Sequence, residues 1–254
     1  MDTNRSTFND SLHTLTLSDD GSFTAYSKEY EEHYHSTKDG AFYESLVKHV
    51  EPAFKLKGYQ KEINILDICF GLGFNTLATL WYFKQNSLSS KIKIYSPELD
   101  ASLVKSLINF TYPKEFEEFR PVIEAIVKEG IYEDENIYIE VFLGDAREYI
   151  KQFDKKFDIV YQDAFSPSAN PALWTKEYFS DIQRGIKSDG VLTTYSIALA
   201  TRLALHENNF KIYLNEGKGF RKATIATLSQ LDGFTKVDMQ HKISCNPNVV
   251  SLRD

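Results

Sequence analysis

The chain has 254 residues, 42% apolar and 14% aromatic, with a net charge of −7 and two cysteines. That length suits one large domain, or a domain with an appendage. No apolar run approaches the ~20 residues of a membrane span, the polar opening Met1 to Arg5 lacks a signal-peptide core, and Cys69 and Cys245 give neither a disulfide framework nor a metal cluster; the expected compartment is the reducing cytoplasm.

The negative charge argues against nucleic acid as a partner for most of the chain. The last part differs: residues 184–254 hold more Lys and Arg than Asp and Glu, which suits contact with a phosphate backbone.

In chain order, residues 12–27 alternate apolar and polar around Ser18-Asp19-Asp20-Gly21, the signature of a hairpin. A polar aromatic stretch, 29–36, follows. Phe42, Leu46, Val47 and Val50 then fall on one face of a helix over 41–54, with Pro52 near its end. These elements form an expected appendage, residues 1–58.

The organising stretch is Ile63 to Thr76. Ile63, Ile65 and Ile68 favour a buried strand, and Gly71 and Gly73 allow a sharp turn that a ligand can approach closely. Asn75 or Thr76 is the expected cap of a helix over 74–85. The turn is therefore expected to aim free N–H groups at the crevice. The pattern Asp-x-x-x-Gly-x-Gly is not the dinucleotide fingerprint, because no third glycine follows. An acid at Asp67 serves a pyrophosphate poorly. S-adenosylmethionine, with a sulfonium, an ammonium and a ribose, suits it better.

From there strands and helices alternate, which predicts a parallel sheet with helices on both faces. Strands are expected at 63–69, 91–97, 137–143, 157–162, 189–196, 209–214 and 222–229, seven in all. Helices are expected near 74–85, 101–109, 145–152, 172–187 and 198–207, with an extra one over 113–130. Residues 59–230 make up this main domain. The tail, 231–254, is less periodic, and Asn246-Pro247-Asn248 reads as a turn.

Ligands in such sheets sit beyond the carboxyl ends of the strands. Each of four successive strands brings an acid there. Asp67 comes with the glycine turn. Glu98 suits the ribose hydroxyls. Asp145, beside Ala146, can accept from an adenine amino group. Asp163 opens the loop Asp163-Ala164-Phe165-Ser166-Pro167-Ser168-Ala169-Asn170-Pro171-Ala172-Leu173-Trp174. Two prolines stiffen that loop. Asn170, placed before Pro171, is pushed into an extended conformation, and Pro171 suits the first turn of a helix bearing Trp174 and Phe179.

These motifs resemble the methyltransferase domain of the MnmC-type tRNA-modifying enzymes. The resemblance is carried by Asp67-x-x-Phe70-Gly71-x-Gly73-x-Asn75, by the Asp163-to-Trp174 loop and by Lys218-Gly219-Phe220-x-Lys222. Tyr34-x-Ser36 and Gly40-Ala41-x-x-Glu44-Ser45 join them in the front segment. It spans roughly residues 20–230. It departs from the usual pattern in the acidic insertion 113–136 and in Arg221.

The resemblance implies a class I S-adenosylmethionine-dependent methyltransferase fold, Rossmann-like, with a seven-stranded mostly parallel sheet. The implied reaction methylates the amine of 5-aminomethyl(-2-thio)uridine at the tRNA wobble position. S-adenosylmethionine is the donor and the tRNA anticodon stem-loop the partner, with no metal, no membrane and no obligate protein partner. A flavin is not expected, since the chain lacks the dinucleotide fingerprint of the fused oxidase and is taken as a stand-alone form. Asp163 is the candidate catalytic base. With it, Asp67, Phe70, Gly71, Gly73, Asn75, Glu98, Asp145, Ala146 and Glu44 are the candidates for the donor. Phe165, Asn170, Pro171, Trp174 and Tyr34 are the candidates for the uridine. Lys218, Arg221 and Lys222, with Arg202 and Lys211, are the candidates for the RNA phosphates. A methyltransferase of a small amine, and a non-catalytic RNA-binding protein on the same fold, remain the alternatives.

Overall fold

The structure, a computed structural model, describes Phe8 and residues 12–254. The polar opening Met1 to Arg5 lies outside the described residues. Strands β1 (His13–Leu17) and β2 (Phe23–Ser27) form the expected antiparallel hairpin, and β3 (Glu32–His33) extends it to a small three-stranded sheet.

The helix expected over 41–54 runs further and is interrupted. It comprises α1 (Ala41–Ser45), a π-helical turn (Leu46–Val50) and α2 (Glu51–Lys57). The wide turn disturbs the regular i→i−4 ladder, so carbonyls there need partners from elsewhere. Asn215 supplies one, donating from Nδ2 to the Val47 carbonyl at 2.9 Å.

The main sheet follows. Strand β4 (Glu62–Ile68), helix α3 (Phe74–Gln85), strand β5 (Lys91–Glu98) and helix α4 (Ala101–Ser106) come first. The extra helix expected over 113–130 is a 3₁₀ segment (Lys114–Phe119) leading into α5 (Arg120–Glu129). Pro121 sits in the first turn of α5, where its missing N–H costs nothing. Then come β6 (Ile131–Glu133), β7 (Ile137–Leu143), α6 (Ala146–Ile150) and β8 (Phe157–Gln162). Helix α7 (Lys176–Gly185), β9 (Ile186–Thr194), α8 (Leu199–Glu207), β10 (Lys211–Asn215), β11 (Ala223–Thr227), β12 (Thr235–Lys236) and α9 (Met239–Cys245) complete the chain.

Nine strands, not the expected seven, share this sheet, in the order β12-β10-β11-β9-β8-β4-β5-β7-β6. The additional two, β6 and β12, are short edge strands, and a run of two or three residues carries no readable alternation. The middle five, β9 to β7, are parallel, while β11, β10, β12 and β6 join antiparallel. The parallel strands are covered on both faces: every residue of β8 is buried, as are Ile63 to Ile68 of β4. The tail is more regular than expected, since it holds α9, capped by the Asp238 carboxylate accepting from the His241 amide. One apolar cluster runs from Phe8 and Ala25 through Val50 and Ala53 to Ile63 and Ile159, so the front segment and the sheet share a core.

The chain leaves β4 in one direction to build β5 and β7, and later returns to build β8 and β9 on its other side. The crevice at that switch point lies outside the carboxyl ends of β4 and β8.

Replacing Asn215 with Ala strands the buried Val47 carbonyl. The expected cost is about 1–3 kcal/mol, measured as a lower urea midpoint with an unchanged slope.

Candidate active site at the carboxyl edge of the sheet

A cavity of about 560 Å³ opens at this switch point, a size typical of small-molecule sites. The segments after β4, β5, β7 and β8 line one side of it, and the front segment from β2 to α1 closes the other.

After β4 the chain reverses through Cys69, Gly71 and Gly73, all at positive φ (66°, 55° and 78°). At Gly71 a Cβ would also meet the Tyr34 ring at 3.2 Å. The Gly71 N–H, expected to be free for a ligand, instead donates to Glu98 Oε2 at 2.8 Å. The Gly73 N–H donates to the Phe70 carbonyl, and Gly73, left-handed, is itself the cap residue of α3. Asn75 and Thr76 therefore do not cap the helix; their side chains serve the carboxylates.

Asp67 is 1% exposed and is not among the residues that line the cavity. It accepts from Thr76 Oγ1 at 2.9 Å and, weakly, from Asn75 Nδ2 at 3.4 Å. Burial pushes its carboxyl up to about 7, with the Asp163 charge adding to the rise and the Thr76 and Asn75 hydrogen bonds opposing it. Its place is behind the turn, which it braces.

Glu98 lines the cavity at the end of β5. Its oxygens accept from the Gly71 and Asp100 amides at 2.8 and 2.9 Å, which fixes the carboxylate while leaving lone pairs for a ligand. Burial raises its pKa. Asp145 caps α6, accepting from the Arg147 amide at 2.8 Å, and with Ala146 lines the far end.

Asp163 follows β8 and lines the cavity beside Asn75, which donates from Nδ2 to its Oδ2 at 2.8 Å. On the other side His49 Nε2 stands 3.3 Å from Oδ1. Burial pushes the Asp163 carboxyl up, but His49, the more distant His35 and the Asn75 amide outweigh it, and the group is held below its usual value. Burial in turn lowers the pKa of His35.

The loop after Asp163 is clamped to the front segment. Ser166 donates from its amide (2.9 Å) and its hydroxyl to the Glu32 carboxylate. Phe165 stacks on Tyr30 at 4.5 Å between ring centroids and leans on Tyr34 at 4.8 Å. Asn170 lines the cavity.

Trp174 and Pro171 do not line it. Trp174 is fully buried and donates from Nε1 to the Phe165 carbonyl at 2.7 Å, holding the loop from beneath. It is not on a helix: a 3₁₀ turn spans Pro171–Leu173, and α7 starts after Thr175, whose hydroxyl accepts from the Tyr178 amide. Gly73 is likewise outside the lining, while Phe70 is in it. Glu44 faces the cavity but is engaged, accepting from the Ser36 amide and Lys48 Nζ, both at 2.6 Å.

Lys218, Arg221 and Lys222 lie on the surface away from the cavity lining. Lys222 pairs with Glu216, and the Lys218 carbonyl accepts from Tyr43. Arg202 does not belong with them. It is 9% exposed, donates to Thr224 Oγ1, and has its pKa lowered by burial.

The pattern did not point to His49, Tyr195, Asp100 or Glu32. His49 is inside a helix whose apolar stripe gave no chemical signal; the π turn aims it inward. Among the described residues no group of three or more His, Cys, Asp or Glu is disposed to hold a metal, and no helix is long and apolar enough to cross a membrane.

The cavity fits S-adenosylmethionine by the chemistry of its hydrogen-bond acceptors. Acids surround it, Arg147 is tied to Asp254, and Glu98 offers an oriented carboxylate at the end of β5. A family model described as S-adenosyl-L-methionine-dependent methyltransferase matches residues 114–230. A crystal structure of MnmC2 from Aquifex aeolicus superposes with a TM-score of 0.84 at 35% identity, over 97% of this chain and 80% of that one. An uncharacterized protein of Methanocaldococcus jannaschii is 33% identical over 83% of this chain and 58% of its own length. The tRNA 5-methylaminomethyl-2-thiouridine biosynthesis bifunctional protein MnmC of Azoarcus is 28% identical over 82% of this chain. This chain spans 34% of that relative's length. A spermidine synthase from Thermotoga maritima shares the fold, at TM-score 0.50 and 17% identity over 86% of this chain and 73% of that one. The fold is that of the class I S-adenosylmethionine-dependent methyltransferases.

The raised Asp67 has a consequence for stability. Between the ordinary aspartate value of 3.8 and about 7 the folded chain keeps a proton that the unfolded chain has released. Stability therefore falls as pH rises through that window, by up to ~1.4 kcal/mol per unit. The Asp67→Asn variant is expected to lack this decline and to be the more stable protein above pH 7. Urea midpoints from pH 5 to 8 check it; a constant gap between the two proteins would refute it.

Proposed function

This chain belongs to the MnmC-type family of S-adenosylmethionine-dependent methyltransferases, and from that premise we propose that it methylates the amine of 5-aminomethyl(-2-thio)uridine at the tRNA wobble position, giving 5-methylaminomethyl(-2-thio)uridine. The observation that carries this reading is Asp163: an acid held in its charged form at the cavity wall, next to the aromatic cluster of Phe165, Tyr30 and Tyr34. The bifunctional relatives are tRNA 5-methylaminomethyl-2-thiouridine biosynthesis proteins, which supports the choice of substrate.

S-adenosylmethionine supplies an electrophilic methyl group when bound. Glu98 is the proposed partner of its ribose, Asp145 and Ala146 of its adenine. The turn Phe70, Gly71 and Asn75 lies beside them, with Gly73 and Asp67 supporting the turn from behind.

An alkylamine is protonated at neutral pH and must lose that proton before it can attack. Asp163 binds the ammonium by a charge-assisted hydrogen bond, orients it and accepts the proton on a carboxylate oxygen. Phe165, Tyr34 and Asn170 shape the pocket for a splayed uridine, the usual mode for single-stranded RNA. Trp174 and Pro171 act through the loop they support, and Glu44 through the wall it shares with Ser36.

The tRNA anticodon stem-loop is the proposed partner, with Lys218, Arg221 and Lys222 facing its phosphates. The division into residues 1–58, 59–230 and 231–254 and a cytoplasmic site of action complete the proposal.

The Asp163→Ala variant is expected to lose at least ~100-fold in kcat on tRNA bearing the aminomethyl group, followed as labelled methyl in the wobble nucleoside by mass spectrometry. Near-normal turnover would remove Asp163 from the chemistry. Reversing Lys218 and Arg221 to Glu is expected to weaken tRNA binding and flatten its salt dependence by roughly one to two in log–log slope, with S-adenosylmethionine affinity unchanged by calorimetry. An unchanged slope would place the RNA surface elsewhere.

A further inference from the structure

Asp163 is supported from behind by groups that contact no open space. His49 is 0% exposed and lies on the π-helical turn of the front segment. Its Nδ1 is 3.1 Å from Thr193 Oγ1, on β9, and its Nε2 is 3.3 Å from Asp163 Oδ1. Nε2 is buried and meets no partner at full hydrogen-bond geometry, so the 3.3 Å approach to Asp163 Oδ1 is an ion-pair contact that turns the ring nitrogen toward the carboxylate. Its ring packs edge-on against Tyr161 of β8 at 5.8 Å. A regular helix and a π turn aim their side chains differently, and π turns are frequent where a helix serves a site.

We propose that His49 is a positioning residue for Asp163, set in its working tautomer by Thr193. When the Thr193 hydroxyl donates to Nδ1, the neutral ring must carry its proton on Nε2, facing the carboxylate. The ring then fixes Oδ1 and keeps water from the back of Asp163, while Asn75 fixes Oδ2. Both oxygens retain lone pairs for the cavity side. The inference rests on the proposed role of Asp163 and adds a residue that the motif at 163–174 does not contain.

Other groups face Asp163 as well. His35 comes from the segment after β3, Asp67 from the end of β4, Cys69 from the glycine turn and Tyr195 from the end of β9. Of these only His35 can add positive charge, and burial lowers its pKa. His49 is the nearest cationic or N–H group to Oδ1.

The test uses the full chain and two variants, His49→Leu and the near-isosteric Thr193→Val. The direct readout is the carboxyl ¹³C titration of Asp163, assigned by the peak missing from Asp163→Asn. Removing His49 should move that titration up by about a unit or more, and Thr193→Val should move it in the same direction by less. In the methylation assay the acid limb of kcat should shift upward with it, and kcat at pH 7 should fall about tenfold or more with KM little changed. A folded Thr193→Val or His49→Leu protein with an unmoved Asp163 titration would overturn the proposal, whichever variant folds. A shifted titration with unchanged turnover would leave His49 beside Asp163 but refute its catalytic importance. Loss of the Asp163 role itself is separately visible as full turnover in Asp163→Asn.

Discussion

The whole carboxyl edge is constrained by negative charge placed where water is scarce. Asp67, Glu98 and Asp163 lie at the ends of neighbouring strands in a buried sheet, and each ionised carboxylate there costs desolvation and repels the others. The chain answers with a donor for every one: Thr76 for Asp67, two backbone amides for Glu98 and Asn75 for Asp163, with His49 a further 3.3 Å contact behind it. The glycine turn is shaped by this need. Its Gly71 amide is used to hold Glu98, so the turn and the acid at the next strand are built as one unit. A cation entering the cavity meets carboxylates already aimed and only partly neutralised, which is the electrostatic preference a sulfonium or an ammonium requires.

The front segment belongs to this arrangement as much as the sheet does. It closes the cavity with Tyr30 and Tyr34, anchors the Asp163 loop through Glu32, and delivers His49 through the π turn. Its core is continuous with that of the sheet. A segment that packs this way cannot hinge freely, and the aromatic stack of Tyr30 on Phe165 ties the loop to it at the point where an acceptor would enter.

Much of the fold was legible because its central elements are buried apolar runs of distinct lengths: β8 and α3, whose residues Phe74 to Leu80 are all buried, fall where the pattern put them. The acids were legible because each follows a recognisable strand. What lay outside the pattern has identifiable causes. Strands β6 and β12 are too short to alternate. Trp174, placed on a helix by the proline before it, sits instead in the joint between a 3₁₀ turn and α7, because Thr175 caps that helix and fixes its start. Arg202 read as a surface cation, but its stem and guanidinium pack between α8 and β11, where Thr224 receives it. His49 was hidden because a single histidine on an apolar helix face looks the same whether it packs or positions; only the π turn distinguishes the two.

Asp67 and Asp163 show how one amide can divide two roles. Asn75 reaches both, at 3.4 Å to the first and 2.8 Å to the second. Two carboxylates this close cannot ionise with equal ease, so any small preference is amplified. Asp163 takes the shorter bond and the imidazole, and its charge then helps push Asp67 toward the protonated form. A neutral Asp67 is the better brace for a buried turn, since it can donate as well as accept; a charged Asp163 is the better receiver of a cationic amine. Had the histidine been placed behind Asp67 instead, the turn would carry the charge and the cavity would lose its proposed base. The sequence signal common to many methyltransferases, the acid before Gly-x-Gly, therefore sets up the site, and the groups around Asp163 decide what chemistry its wall performs.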